Sequence, residues 1–234
     1  MKELLVRLAA RIPYSDRALD FVAGRSAAAL TRRNTLQAYD RVYDSPRMRN
    51  VYLSTERIKF YEELAALFAP LKPRSILDVG CGTGHLLRLV VDRMVAPPEK
   101  VVGVDHSEAG IRQARELLPS ATWVVGDLYG LPGALDRFDL VLCTEVLEHL
   151  HEPARAVEVL RRLCAPNGRV AITVPDGSQD SWEGHVNFWD EDELRTFLAS
   201  HGLDAIDRVQ RGEVLLAWLA PRAEPEPEHQ LMPS

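Results

Sequence analysis

The run Ser75-Ile-Leu-Asp-Val-Gly-Cys-Gly-Thr-Gly-His85 constrains this chain more than any other stretch: an apolar segment carries one carboxylate and then meets three alternating glycines. Gly80, Gly82 and Gly84 can take backbone angles closed to residues with a Cβ, so the chain can turn tightly and bring its amides up to a ligand. The segment therefore reads as a strand, a tight turn and the start of a helix, which is how a parallel α/β sheet builds a nucleotide loop. Its spacing is D-x-G-x-G-x-G rather than the G-x-G-x-x-G of dinucleotide sites, with Asp78 near the carboxyl end of the predicted strand.

Two further apolar runs end in an acid. Lys100-Val-Val-Gly-Val-Asp105 closes 21 residues after Gly84, about where a βαβ unit delivers its next strand, and Ala121-Thr-Trp-Val-Val-Gly-Asp-Leu128 follows it. A carboxylate such as Asp105 suits a ribose diol, because it accepts two hydrogen bonds at once. Taken together, these motifs resemble those of the class I S-adenosylmethionine (SAM)-dependent methyltransferases, over roughly residues 35–220. The resemblance implies that Asp78 faces the methionine ammonium and that Gly80, Cys81, Gly82 and Gly84 pack under the carboxypropyl arm and ribose. It implies Asp105, with His106, at the ribose and Asp127, with Leu128, at the adenine. It also implies a Rossmann-like α/β fold: a seven-stranded mixed sheet of order 3-2-1-4-5-7-6, helices on both faces and an N-terminal helical lid.

With 234 residues and 46% hydrophobic content, the chain has the size of one α/β domain with an appendage. Strands are expected near 75–79, 100–104, 121–125, 138–143 and 169–174, followed by a pair at 203–210 and 213–219. Three segments are expected: a helical leader and lid over 1–69, the SAM-binding domain over 70–221, and a Pro- and Glu-rich disordered tail over 222–234. The leader is basic, with 12 Lys or Arg against six Asp or Glu in residues 1–61, while the whole chain carries −6. That acidic balance argues against stable nucleic-acid binding, which draws on clustered cations. Residues 2–12 form a short basic amphipathic helix, better suited to packing on its own domain or on a second copy in a homodimer than to lipid. Residues 35–68 keep a helical pattern and carry Tyr39, Tyr43, Tyr52, Phe60 and Tyr61. The three cysteines are scattered, which points to a reducing, cytoplasmic compartment, and Cys81 reads as a packing residue rather than a nucleophile. The charge-interrupted N-terminus does not suit a secretory signal, and no run is long enough to span a membrane.

The fourth strand leads into Thr144-Glu-Val-Leu-Glu-His-Leu-His151, beyond the sheet edge where ligands of open α/β folds sit. Methyl transfer needs acceptor, methyl and sulfur nearly in line, and a hydroxyl acceptor must also lose a proton. His149 is the leading base, because an imidazole titrates near pH ~6.5. Glu145, Glu148 and His149 form E-x-x-E-H, whose spacing puts Glu145 on one helical face with Glu148 or His149. With His185 downstream, this pattern is similar to that of the quinone-biosynthesis O-methyltransferases and the small-RNA 3′-end 2′-O-methyltransferases. That likeness implies Glu145, Glu148, His149 and His185 as ligands of Mg²⁺ or Mn²⁺. Metal-free relatives carry the same run with the first Glu facing the cofactor, so both readings stand. The catalytic candidates are Glu145, His149 and His185, whereas His151 is read as a surface residue. Trp182, Phe188 and Trp189 edge the loop after the fifth strand, where an acceptor would enter. The expected activity is transfer of a methyl group from SAM to an oxygen, or else a nitrogen, of a small metabolite. The alternatives are an RNA 3′-terminal 2′-O-methyltransferase, which would want a basic channel, and a non-catalytic SAM-binding or assembly subunit.

Overall fold

The computed structural model describes residues 36–45, 53–131, 135–180, 185–211 and 214–221. The basic amphipathic helix expected at 2–12, Tyr52, Trp182 and the tail lie outside these residues. Six helices and seven strands can be followed: α1 (Leu36–Asp44), α2 (Thr55–Phe68), β1 (Ser75–Val79), α3 (His85–Arg93), β2 (Lys100–Asp105), α4 (Glu108–Leu117), β3 (Thr122–Val125), β4 (Phe138–Thr144), α5 (Pro153–Leu163), β5 (Cys164–Pro175), α6 (Glu191–Ser200), β6 (Leu203–Arg211) and β7 (Val214–Pro221). The strands form one sheet in the order β3-β2-β1-β4-β5-β7-β6. β1 to β5 run parallel, and β7 pairs antiparallel with both β5 and β6.

Strand alternation decides which helices cover which face. Ile76, Leu140, Leu142 and Ala171 point to one side, where Phe60, Leu64 and Phe68 of α2, Leu87 and Val90 of α3 and Ile111 of α4 fill the layer. Leu77, Val79, Val141, Cys143, Val170 and Ile172 point to the other, against Val157 and Leu160 of α5 and Leu194 and Leu198 of α6. Residue 69 comes directly after α2, and α2 packs in the same apolar cluster as β1 and α3. Asp78 follows Ile76 on the α2 side of the sheet, in a strand that is otherwise apolar after Ser75.

Local signals set several boundaries. Ser107 caps α4 through its hydroxyl, Pro153 opens α5 in its first turn, and Asp190 with Glu193 forms a reciprocal capping box on α6. β5 begins earlier than its apolar run suggests. Cys164 pairs with Phe138 and Arg169 with Leu140, so the intervening Ala165–Gly168 turn is carried as an irregularity within the strand. The helical pattern of 35–68 resolves into two described helices, α1 and α2, which lie on different parts of the molecule. α2 covers the sheet, whereas α1 lies against α4, tied by Gln113 Nε2 to the Tyr43 carbonyl at 2.8 Å and by Arg112 to Asp44. Asp40 of α1 also accepts the Ser107 hydroxyl at 2.5 Å and the Ala109 amide at 3.1 Å. No described helix is long and apolar enough to cross a membrane.

Candidate functional site

The carboxyl edge of the sheet carries two adjoining cavities that share Tyr39, Tyr43, Gly80, Glu145 and His149. The larger, about 580 Å³, runs from Asp105 and His106 past Asp127 and Leu128 to Leu150. The smaller, about 90 Å³, lies over Asp78, Cys81 and Gly82 and reaches Arg57, Tyr61, Glu148 and His185.

The glycine loop is pinned before any ligand arrives. The Gly80 and Cys81 amides donate to the Val104 carbonyl at 2.8 and 3.0 Å, and the Gly82 amide donates to Asp105 Oδ2 at 2.8 Å. The other oxygen of Asp105 accepts the Ser107 amide at 2.8 Å. Burial raises the Asp105 carboxyl above its ordinary range, and these two backbone donors work against that rise. Asp78 is only 1% exposed, and its Oδ1 has no hydrogen-bond partner among the described residues. Burial, then the nearby Asp105 charge, pushes its pKa up to about 8. Asp127 turns the chain after β3 by accepting the Tyr129 amide at 2.9 Å. His106 stands edge-on to Tyr39, with ring centroids 4.8 Å apart.

One glycine of the loop is placed elsewhere. Gly84 lines neither cavity; it caps α3 in the left-handed region at φ 78, and a Cβ there would come within 2.6 Å of Trp123 Cη2. Gly82 faces α1 as well as the cavity, since a Cβ on it would lie 2.9 Å from the Tyr43 hydroxyl. The small loop residues thus let α1 lie close over the site.

The E-x-x-E-H run does not form the helix its spacing suggests. Glu145 has φ 56, and only a short 3₁₀ turn, Leu147–His149, follows it. A left-handed residue at the strand end swings the Glu145 side chain back onto β5, where Oε1 accepts the Thr173 hydroxyl at 2.9 Å, while Glu148 is buried one turn away. Glu145 and Glu148 therefore share no helical face. Burial raises the Glu145 carboxyl, with Arg57 opposing. Among the described residues Glu148, His149 and His185 bring one ligand atom each within 4.8 Å of one another, and Glu145 is not in that set. His149 Nε2 stands 3.6 Å from Glu148 Oε1, and the His149 and His185 rings meet edge to face at 4.8 Å. His151 is exposed, while Trp189 stacks on Phe197 of α6 at 5.2 Å and Phe188 is half-exposed.

Three residues at or beside the smaller cavity were missed or given no site role by sequence reasoning: Arg57, Tyr61, which was named only among the helical aromatics, and Asp180. Arg57 and Tyr61 sit four apart on α2, beside the Phe60, Leu64 and Phe68 stripe that marks the core face. An arginine followed by a tyrosine at helical spacing was the available signal. Burial raises the Tyr61 phenol. The third, Asp180, has no sequence signal beyond its five-residue separation from His185, to whose Nδ1 it is joined by a short hydrogen bond.

Comparison with known proteins bears on this geometry. A family model described as a methyltransferase domain matches residues 52–207. The chain is similar to a trans-aconitate 2-methyltransferase of Variovorax paradoxus, 31% identical over 53% of this chain and 48% of that protein. It is also similar to a ubiquinone biosynthesis O-methyltransferase of Thiobacillus denitrificans, 37% identical over 49% of this chain and 50% of that protein. The chain thus spans about half the length of the curated relatives it matches. Among solved structures, the N-methyltransferase NodS from Bradyrhizobium japonicum in complex with S-adenosyl-L-homocysteine (SAH) superposes with a TM-score of 0.66 at 20% identity, covering 81% of this chain and all of that one, which speaks for the fold. The chain belongs to the methyltransferase-domain family, and within it to the class I SAM-dependent methyltransferases.

Proposed function

We propose that this protein transfers the methyl group of SAM to an oxygen, or else a nitrogen, of a small-molecule acceptor. The observation that carries this reading is the buried Asp78 carboxyl, which lines a small cavity adjoining a nucleoside-sized one and whose Oδ1 has no hydrogen-bond partner among the described residues. A buried acid without a partner is costly, and a ligand ammonium supplies the missing charge. Asp78 and the Gly80–Gly82 amides would hold the amino-acid end of the cofactor, with Asp105 and His106 at the ribose and Asp127 and Leu128 at the adenine. Bound SAM supplies an electrophilic methyl on a sulfonium. The chain's own residues do the rest. Tyr39 and Tyr43 of α1 line both cavities, and α1 serves as a lid that keeps water from the transfer zone. Glu145 and His149 lie where the cavities meet, and His149 with His185 supplies imidazole bases within reach of an acceptor hydroxyl. The acidic balance of the chain supports a metabolite over RNA, and the buried free thiols Cys81, Cys143 and Cys164 support a cytoplasmic setting.

Calorimetric titration with SAH tests this reading: one saturable site is expected, and no heat above dilution would overturn it. Asp105→Ala should weaken SAH binding roughly 10- to 100-fold, because it removes the diol acceptor and also frees the Gly82 amide that shapes the loop. An unchanged affinity would remove the ribose assignment.

A metal-assisted form of the same reaction draws on the close approach of Glu148, His149 and His185. Those three side chains would hold a divalent ion such as Mg²⁺ or Mn²⁺, and the ion would contribute positive charge that eases deprotonation of a hydroxyl. Glu145, engaged with Thr173, stays out of that ligand set. Metal-stripped protein, followed by calorimetry with Mn²⁺, should yield one site that Glu148→Gln removes. If stripped protein takes up no metal and turns over at the same rate, the metal-free form is correct.

A further inference from the structure

The described start of the loop after β5 is built around Asp176. Asp176, 4% exposed, accepts the Ser178 amide and hydroxyl on Oδ1 at 2.9 and 2.7 Å and the Gln179 side-chain amide on Oδ2 at 3.2 Å. Its carbonyl accepts the Asp180 amide at 2.9 Å, and Gly177 donates to the Trp189 carbonyl at 2.8 Å. The returning arm is clamped too. Val186 and Asn187 donate their amides to the Glu148 carbonyl at 2.8 and 3.1 Å, and the Asn187 side chain donates to the carbonyls of Leu147 and Leu150 at 3.0 and 2.6 Å. Between these anchors Asp180 and His185 meet through Oδ2 and Nδ1, with side chains 13% and 3% exposed.

We infer that Asp180 is a positioning residue: it accepts the Nδ1–H of His185 and so fixes the imidazole in the tautomer whose Nε2 carries the lone pair. An ionised carboxylate only accepts hydrogen bonds, so the shared hydrogen belongs to the ring. Free imidazole side chains favour the opposite tautomer, with the hydrogen on Nε2, and a fixed partner on one nitrogen is what reverses the choice. The ring lines the cavity beside His149, and its Nε2 lies on the side away from Asp180. Loop anchoring on both arms holds that direction without help from a ligand. The use made of the lone pair rests on the methyltransferase reading; the tautomer does not.

The test uses full-length protein labelled with ¹⁵N-histidine and long-range ¹H–¹⁵N correlation at about pH 8, with His185 assigned by loss of its signals in His185→Gln. Wild-type protein is expected to have a protonated Nδ1 and a bare Nε2. Asp180→Ala should move at least half of the population to the Nε2–H tautomer, and Asp180→Asn, whose side-chain NH2 can donate to Nδ1, should also favour hydrogen on Nε2. A wild-type spectrum with hydrogen on Nε2, alone or on both nitrogens, overturns the inference even if Asp180→Ala fails to fold. So does a folded Asp180→Ala that leaves the pattern unchanged. SAH calorimetry on the same wild-type sample keeps the two claims apart: absence of binding removes the methyltransferase reading, while the tautomer result stands or falls by itself. Once an acceptor is in hand, Asp180→Ala should lower kcat roughly 10- to 100-fold while the KM for SAM stays within about twofold.

Discussion

Asn in place of Asp78 should weaken SAM binding at least ~100-fold while making the unliganded protein more stable at alkaline pH, because the same buried carboxylate that serves the ligand burdens the empty fold. In the unliganded protein burial and the neighbouring Asp105 push the Asp78 pKa up to about 8, against 3.8 for an ordinary Asp. The folded state thus binds the proton more tightly than the unfolded chain. The stability this group contributes is complete below pH ~4 and is lost as pH rises through ~8. Asp78→Asn cannot lose that proton, so its melting temperature should match wild type near pH 5 and exceed it at pH 9. A relief of about 2 kcal/mol would appear as roughly 4–8 °C in a chain of this size. Thermal melts at the two pH values read the difference directly.

The same titration governs ligand uptake. An ammonium is best met by the ionised acid, so below pH ~8 binding must expel the Asp78 proton, and wild-type affinity should rise up to about tenfold per pH unit until it levels. Calorimetry in buffers of different ionisation heat should count close to one proton released per SAH bound near pH 7. The variant should release none through this group. A wild-type affinity that is flat between pH 6 and 9, together with a tightly binding Asp78→Asn protein, would sever Asp78 from the cofactor.

How much of this was legible beforehand depends on whether the cause was local. Strands of a parallel sheet are covered on both faces, so they write themselves as continuous apolar runs, and an acid at the end of such a run stands out. Asp78, Asp105 and Asp127 were visible for that reason. The bend at Glu145, a residue the sequence did mark, was not, because its left-handed backbone is imposed from outside. Val146 packs over Gly80, where a Cβ would come within 2.3 Å of Val146 Cγ2, and Thr173 on the next strand accepts the Glu145 amide and donates its hydroxyl to the Glu145 carboxylate. Nothing in E-x-x-E-H announces those partners, and the spacing reads as helix. Arg57 was obscured by phase, since it occupies, with Tyr61, the stripe next to the one that packs α2 into the core. Asp180 depends on a loop folded by contacts with Glu148 and Trp189, which no short window contains.

Gly84 separates the two kinds of glycine in the loop, and replacing it with Ala should cost fold stability rather than cofactor affinity. The position caps α3 at φ 78, where an L-residue is disfavoured by roughly 1–2 kcal/mol. Its Cβ would also lie 2.6 Å from Trp123 Cη2 and 3.0 Å from the Ala114 methyl. Trp123 cannot easily withdraw, because its ring is 7% exposed and its Nε1 donates to the Leu118 carbonyl at 3.0 Å. Overpacking of that kind adds about 1–3 kcal/mol, so Gly84→Ala should lower the melting temperature by roughly 5–15 °C. SAH affinity measured well below the transition should change less than about fivefold, since Gly84 lines neither cavity. Trp123→Phe supplies the second leg of a double-mutant cycle. Trimming the ring removes the atom that clashes, so the two substitutions together should destabilise less than the sum of each alone, by an interaction of about 1 kcal/mol or more. A Gly84→Ala protein that melts like wild type yet binds SAH ten times more weakly would mean that this glycine, like Gly80 and Gly82, answers to the ligand and not to Trp123.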